Sequence, residues 1–244
     1  MPLEKAEGLI VRTVDYSETS RIVTVWTREF GKVRGLAKGG RRPKSAFEFA
    51  LDLLVVCSMV LIRKPASNLD LLTEARATER FPLLRKNLAA LYAGYYVAEL
   101  LGDLTQDYDP HPALFEESVA ALRDYGAKPT EVGSRLLRWE TVLLEELGYA
   151  PLLDACANCR AELPEEPDFL FRPGNGGLVC RQCQGVLRGG TRLSAVAMTA
   201  WRRLQGGQTD PVPPGAQSEL RQVHNQYLCH LLGRRPRTMT YLGG

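Results

Sequence analysis

The pattern of apolar and polar positions divides the chain into a strand-rich beginning and a helical remainder. Residues 8–14 and 22–27 are rich in β-branched and aromatic side chains, with a turn over 15–19 between them. A short strand is expected near 32–37, and the apolar run 51–61 suffices for one or two more. Leu69, Leu71, Thr73, Ala75 and Ala77 then alternate with Asp70, Leu72, Glu74, Arg76 and Thr78, the period of a half-buried strand. Five or six short strands within about 75 residues, with no helix among them, predict a small closed barrel. An OB-type barrel fits first and an SH3-like barrel second.

From residue 81 the period changes. Residues 84–104 are apolar nearly all round (Leu88, Leu91, Tyr92, Tyr95, Tyr96, Val97, Leu100, Leu101), which predicts a central buried helix with Gly94 allowing a close crossing. A loop over 107–112 precedes a shorter helix over 113–125, stopped at Gly126. Val132, Leu136, Trp139, Leu143 and Leu147 form the single stripe of the next helix, between Thr130 as cap and Gly148 as stop. The acidic residues of this region sit mostly on outer faces and read as solvated surface, with docking of a basic partner as the alternative. Phe169-Leu170-Phe171 and Leu178-Val179 flank P-G-N-G-G (173–177), a hairpin signal. Ser194 caps a helix striped by Ala197, Ala200, Trp201 and Leu204. Leu220, Val223, Tyr227 and Leu231 mark a last helix before Gly233, followed by a loose basic tail over 234–237.

Candidate chemistry lies where this regularity breaks. Cys156-Ala-Asn-Cys159 and Cys180-Arg-Gln-Cys183 are two Cys-x-x-Cys pairs at the separation of a four-thiolate zinc site. Each pair turns two sulfurs toward one point, and together they complete a tetrahedron about 2.3 Å from one ion. Disulfides are the weaker reading, since no secretory leader precedes these cysteines and a chain this long needs no staples. Four thiolates leave no open position for water or substrate, so one structural zinc ion is expected and no catalysis. The zinc deaminase pattern is absent, because Leu153, Asp154 and Ala155 precede Cys156. Cys57 and Cys229 read as small buried hydrophobes. His111, His224 and His230 are too scattered to form an active site, and they read as packing or solvated residues.

Composition is ordinary for a globular protein, with 45% hydrophobic and 24% charged residues. No apolar run reaches the roughly 18 residues of a membrane span, so a cytoplasmic protein without a membrane partner is expected. The net charge of +3 hides an uneven distribution. Residues 1–80 carry 14 Lys/Arg against 10 Asp/Glu, residues 81–155 carry 6 against 12, and residues 156–244 carry 11 against 6. Two cationic ends around an acidic middle point to a polyanionic partner. The densest stretch, 31–45, holds Lys32, Arg34, Lys38, Arg41, Arg42 and Lys44 and no acid. Its glycines make a flexible basic loop suited to phosphates, because each neutralised phosphate releases counterions. It lacks the Gly-Lys-Ser/Thr of a nucleotide P-loop. Base-stacking partners would have to be Trp26, Phe30, Phe47 or Phe49, which fit the core or the rim of the barrel equally well.

These stretches resemble the bacterial RecO family of DNA repair and recombination proteins. The N-terminal likeness rests on Gly8-Leu9-Ile10-Val11-Arg12, Asp15-Tyr16-Ser17-Glu18 with Arg21 and Ile22, Thr27, Gly31-Lys32, and Ala37-Lys38-Gly39 through Arg41 to Lys44-Ser45. The C-terminal likeness rests on the two Cys pairs, with Gly176-Gly177-Leu178 just before Cys180. The resemblance implies an α+β multidomain protein with an OB-type β-barrel at 1–80 that binds DNA. A helical domain at 81–155, a four-cysteine zinc arm at 156–192, and C-terminal helices at 193–244 packing on the helical domain would follow. It implies a non-enzymatic recombination mediator without a small-molecule substrate, acting at the nucleoid. Such a protein binds single- and double-stranded DNA, anneals complementary strands, works with RecR and single-strand-binding protein, and helps load RecA. The six loop cations would be the phosphate contacts. Cys156, Cys159, Cys180 and Cys183 would be the zinc ligands. The acidic tail of single-strand-binding protein would suit the surface around Trp201, Arg202 and Arg203. An RNA- or ribosome-associated zinc protein and a zinc hydrolase or nuclease are the alternatives, separable by RNA competition and by metal-dependent turnover of DNA.

Overall fold

The computed structural model describes residues 3–42, 45, 47, 49–64, 67–163, 169–186 and 189–242. They form two compact units, Met1–Pro129 and Thr130–Gly244.

The first unit opens with β1 (Leu3–Asp15), β2 (Arg21–Thr27), β3 (Gly31–Ala37), β4 (Val55–Ile62) and β5 (Asp70–Arg80), closed into a barrel of order β1-β2-β3-β5-β4. Every pairing is antiparallel except that of β3 with the start of β5, where Gly35, Leu36 and Ala37 face Asp70, Leu71 and Leu72. Alternation builds the interior. In β3, Val33 and Ala37 point inward, and from the other strands Ile10, Val25, Met59, Leu61 and Leu72 fill the same core. Strand β1 departs from alternation at Leu9, Ile10 and Val11, all buried. The reason is that α1 (Leu88–Leu104) packs on its outer face, so both faces are covered there. Asn87 caps α1 by accepting from the Ala90 N–H at 3.0 Å. Gly94 makes the close approach its sequence suggests, since a Cβ there would lie 2.8 Å from Leu54 and 3.2 Å from Leu122 of α2 (Pro112–Ala127).

In the second unit α3 (Val132–Glu146) packs against α5 (Ala195–Gln205) and α6 (Pro214–Leu232). A three-stranded sheet joins β7 (Gly177–Val179), β6 (Phe169–Arg172) and β8 (Thr191–Leu193), in that order, with the short α4 (Arg181–Val186) following β7. The hairpin of β6 and β7 is the one expected from sequence; β8, three residues long, is too short to show a period. Ser194 caps α5 as expected, accepting from the Ala197 N–H at 3.2 Å. Two readings are corrected. The C-terminal segment is not loose: Pro236 and Met239 are buried, and Thr238–Tyr241 form a turn of 3-10 helix. Nor do the acids of α3 all face solvent. Glu140 is completely buried, with Oε1 bonded to the Arg221 guanidinium and Oε2 2.9 Å from Nδ1 of the equally buried His224.

Candidate functional site

The four paired cysteines converge in the second unit. Their sulfurs all lie within 4.8 Å of one another, and those of Cys159 and Cys180 are 3.7 Å apart. The edge of a tetrahedron with 2.3 Å metal–sulfur bonds is about 3.8 Å, so the cluster is compatible with one metal ion. All six cysteines of the chain are free thiols.

Local backbone chemistry places them. The first pair sits on a turn in which the Arg160 N–H bonds the Cys156 carbonyl at 2.9 Å, with Arg160 in a left-handed conformation at φ 65°. The Cys156 N–H reaches the Ala161 carbonyl at 2.8 Å, and the Ala157 N–H reaches the Leu178 carbonyl at 2.7 Å, tying this turn to β7. Cys180 follows β7 and Cys183 falls in the first turn of α4. Leu152 brackets the other side of β7, exchanging bonds with Gly176 and Leu178 at 3.0 Å each. That approach requires glycine at 177, where a Cβ would lie 2.5 Å from the Leu152 carbonyl oxygen.

The electrostatics of the cluster favour a cation. Burial raises the Cys156 thiol, but backbone N–H donors from Cys159, Cys180 and Asn158 outweigh it and bring it down to about 6. The Cys180 N–H lies 3.3 Å from the Cys156 sulfur. At Cys183 the Asn158 amide bond lowers the thiol, yet burial and the other three sulfurs carry it up to about 12. One thiolate therefore forms readily, and the last forms only against its neighbours. A dication removes that repulsion and displaces the protons.

The six cations expected to meet phosphate divide by their surroundings. Lys32 does not lie on a flexible loop but on β3. Its Nζ donates to the carbonyls of Gly102 at 2.9 Å and Thr105 at 2.6 Å, at the C-terminal end of α1, and stands 3.6 Å from Asp107. Arg34, also on β3, pairs with Asp107. Arg41 bonds the Ser17 carbonyl at 2.9 Å through its side chain and the Thr19 carbonyl at 3.0 Å through its N–H, and its Nε lies 3.5 Å from Asp15. It thus fastens the turn after β3 to the β1–β2 loop. Lys38 and Arg42 on the same turn are exposed and make no ion pair with a described residue. Lys44 lies outside the described residues.

Of the aromatic candidates, Trp26 is fully buried and stacks on His111, and Phe47 belongs to the barrel core. Phe30 is half-buried, and only Phe49 stands out, 61% exposed. Tyr16, not among those stacking candidates, is also exposed, between two partners of Arg41. Tyr16 belongs to the Asp15–Glu18 stretch on which the family likeness rests, but its link to the cationic turn is not legible locally, because Arg41 lies 24 residues from Ser17. Around α5, Trp201 is fully buried, and Arg202 bonds the Leu153 carbonyl at 2.9 Å. Arg203 instead lines a largely apolar cavity of about 340 Å3 with Val196, Ala200, Leu204 and Val212, and with one acid, Asp210. Among the described residues no helix is long and apolar enough to cross a membrane.

Comparison with known proteins adds an independent line. Residues 1–81 match the family model described as recombination protein O N terminal, and residues 85–240 match that described as recombination protein O C terminal. A protein named DNA repair protein RecO from Rhodopirellula baltica is 40% identical over 178 residues, 72% of this chain and 66% of that one. Proteins of the same name from Anaeromyxobacter dehalogenans and Myxococcus xanthus are 35% and 30% identical. Those two matches span 96% and 97% of this chain and 94% and 95% of theirs.

Proposed function

The chain belongs to the recombination protein O family and is a non-enzymatic mediator of recombination in DNA repair, and on that premise we propose how its surfaces serve that role. The barrel is of the OB type; its strand order and the single parallel pairing of β3 with β5 support this. It meets single- and double-stranded DNA at the turn after β3, where Lys38, Arg41 and Arg42 gather by the β1–β2 loop, with Lys44 two residues on in the sequence as a further phosphate contact. Lys32 and Arg34 serve the same surface from β3, holding it on α1 and Asp107 and exchanging the acid for phosphate where Arg34 is half-exposed.

Annealing follows from charge. Two strands repel through their phosphates, and a protein that neutralises several on each lets the bases meet while counterions are released. The protein pairs complementary strands in this way and, with RecR, helps load RecA where single-strand-binding protein covers the DNA. The acidic tail of that protein enters the cavity beside α5, its apolar residues against Val196, Leu204 and Val212 and a carboxylate on Arg203. Cys156, Cys159, Cys180 and Cys183 hold one zinc ion. When bound, the ion is closed off by four sulfurs and supplies structure rather than catalysis.

The observation that carries the DNA assignment is the pair Lys38 and Arg42, exposed without an ion pair among the described residues on a turn that Arg41 fastens in place. Lys38→Ala with Arg42→Ala is expected to lower the salt slope of DNA binding by about two units. Annealing, with and without RecR, should weaken in parallel as potassium chloride rises. Unchanged affinity at every salt concentration would place the interface elsewhere.

A further inference from the structure

A second cationic feature lies on the outer surface of β1, β4 and β5, where a cleft of about 740 Å3 is bounded by Ser45. Strand register sets its floor. Val60 stands opposite both Lys5 and Glu74, and Ser58 stands opposite Arg76, so these side chains share one face. Lys5, Arg76 and Arg80 line the cleft against one acid, Glu74. Lys5 and Arg76 are exposed and make no ion pair with a described residue.

At the rim, the Arg80 guanidinium lies 5.5 Å from the centre of the Phe49 ring. Phe49 is largely exposed and holds a left-handed backbone conformation at φ 55°, costly for a bulky side chain. A large apolar ring kept exposed at a strained position, with a cation over it, is a surface for a flat partner. Phosphate spacing accounts for the cations and a base for the ring. An acidic peptide would satisfy the cations alone.

We propose that this cleft is a second strand-binding site, holding single-stranded DNA with phosphates on Lys5 and Arg76 and a base stacked on Phe49. The site rests on the DNA-binding reading above and extends it, because pairing two strands needs two places to hold them on one barrel. Glu74 keeps the hold weak enough for release, since it opposes phosphate within the same cleft.

Fluorescence separates the possibilities. The native Trp26, Trp139 and Trp201 are fully buried, so Phe49→Trp in the full chain introduces one exposed indole. Oligothymidylate is expected to quench it, as base stacking on an aromatic ring does. Independently, Lys5→Gln with Arg76→Gln alters only exposed positions and should lower the salt slope for oligothymidylate by about two units. Its effect should add to that of Lys38→Ala with Arg42→Ala. If the parent protein binds oligothymidylate but the indole stays unquenched and the slope is unchanged, the cleft is not a strand site and the loop assignment stands. Quenching by an acidic peptide but not by oligothymidylate overturns the proposal equally. If the parent binds no oligothymidylate at all, the DNA reading fails and this one with it.

Discussion

Glu140→Ala should be among the most damaging single changes in the second unit. Glu140 and His224 have no exposed side-chain surface, and the Arg221 side chain is only 10% exposed. Removing the acid leaves a buried guanidinium without its carboxylate and a buried imidazole N–H without its acceptor. Breaking a buried pair from one side costs about 3 to 5 kcal/mol. With a urea dependence of about 2 kcal/mol per molar, the unfolding midpoint falls by about 2 M. Tryptophan fluorescence reports it, because the Trp201 ring lies 4.9 Å from that of His224. Glu140→Ala combined with Arg221→Ala should cost less than the two singles added, since the stranded charge is gone. A single-variant loss below about 1 kcal/mol, or strict additivity, would refute the account.

The same cluster sets a pH dependence. Burial, opposed by the bond to Glu140, holds His224 below its ordinary 6.5. Burial raises Glu140, but Arg221 and the bond to His224 outweigh it and hold it below its ordinary 4.5. Both groups therefore take up protons more easily in the unfolded chain, so their contribution is complete above pH 6.5 and is lost on acidification. The loss begins with His224 below 6.5 and continues with Glu140 below 4.5. A neutral His224 donating Nδ1–H to Glu140 satisfies this arrangement. Urea midpoints measured from about pH 8 to about pH 5, across the ordinary imidazole value, should fall more steeply in Glu140→Ala than in the parent, because the bond that opposes burial at His224 is gone.

Other consequences are simpler to read. Cys159→Ser should leave less than about one zinc per chain after dialysis, by elemental analysis, because three thiolates no longer close the tetrahedron. Gly177→Ala should reduce metal content in the same assay without touching a ligand, since its Cβ would displace the Leu152 carbonyl that frames β7. Lys32→Ala should destabilise the barrel unit by about 1.5 to 3 kcal/mol, the range for hydrogen bonds to a charged group. Its effect on the salt slope should be smaller than that of Lys38→Ala with Arg42→Ala. A reversed order would show Lys32 to be the phosphate contact.

Much of the architecture is written locally. The alternation read over Leu69 to Thr78 holds in β5 from Ala75 onward, whereas before the register shift Asp70 and Leu72 are the buried positions. The stripe of Val132, Leu136, Trp139 and Leu143 is the buried face of α3. Both periods depend only on backbone geometry and on having one covered side. Where structure and sequence pattern part, a distant partner has intervened. Trp26 fits the profile of a base platform until His111 covers it, and Glu140 reads as surface until Arg221 and His224 arrive from α6. Pro236 and Met239 have no periodic neighbours to announce their burial.

The chain alone therefore determined the kinds of group available: four thiols in two tight pairs, a barrel's worth of strands, and a run of cations without an acid beside them in sequence. Only the tertiary structure decided which of those cations are spent. Lys32 is held by carbonyls 70 and 73 residues away, Arg34 by an acid 73 away, whereas Lys38 and Arg42 have no acid paired to them among the described residues. The physical reason is that thiol convergence and strand period are set by bonds a few residues long. The neutralisation of a charge is set by whatever the fold brings within about 4 Å of it.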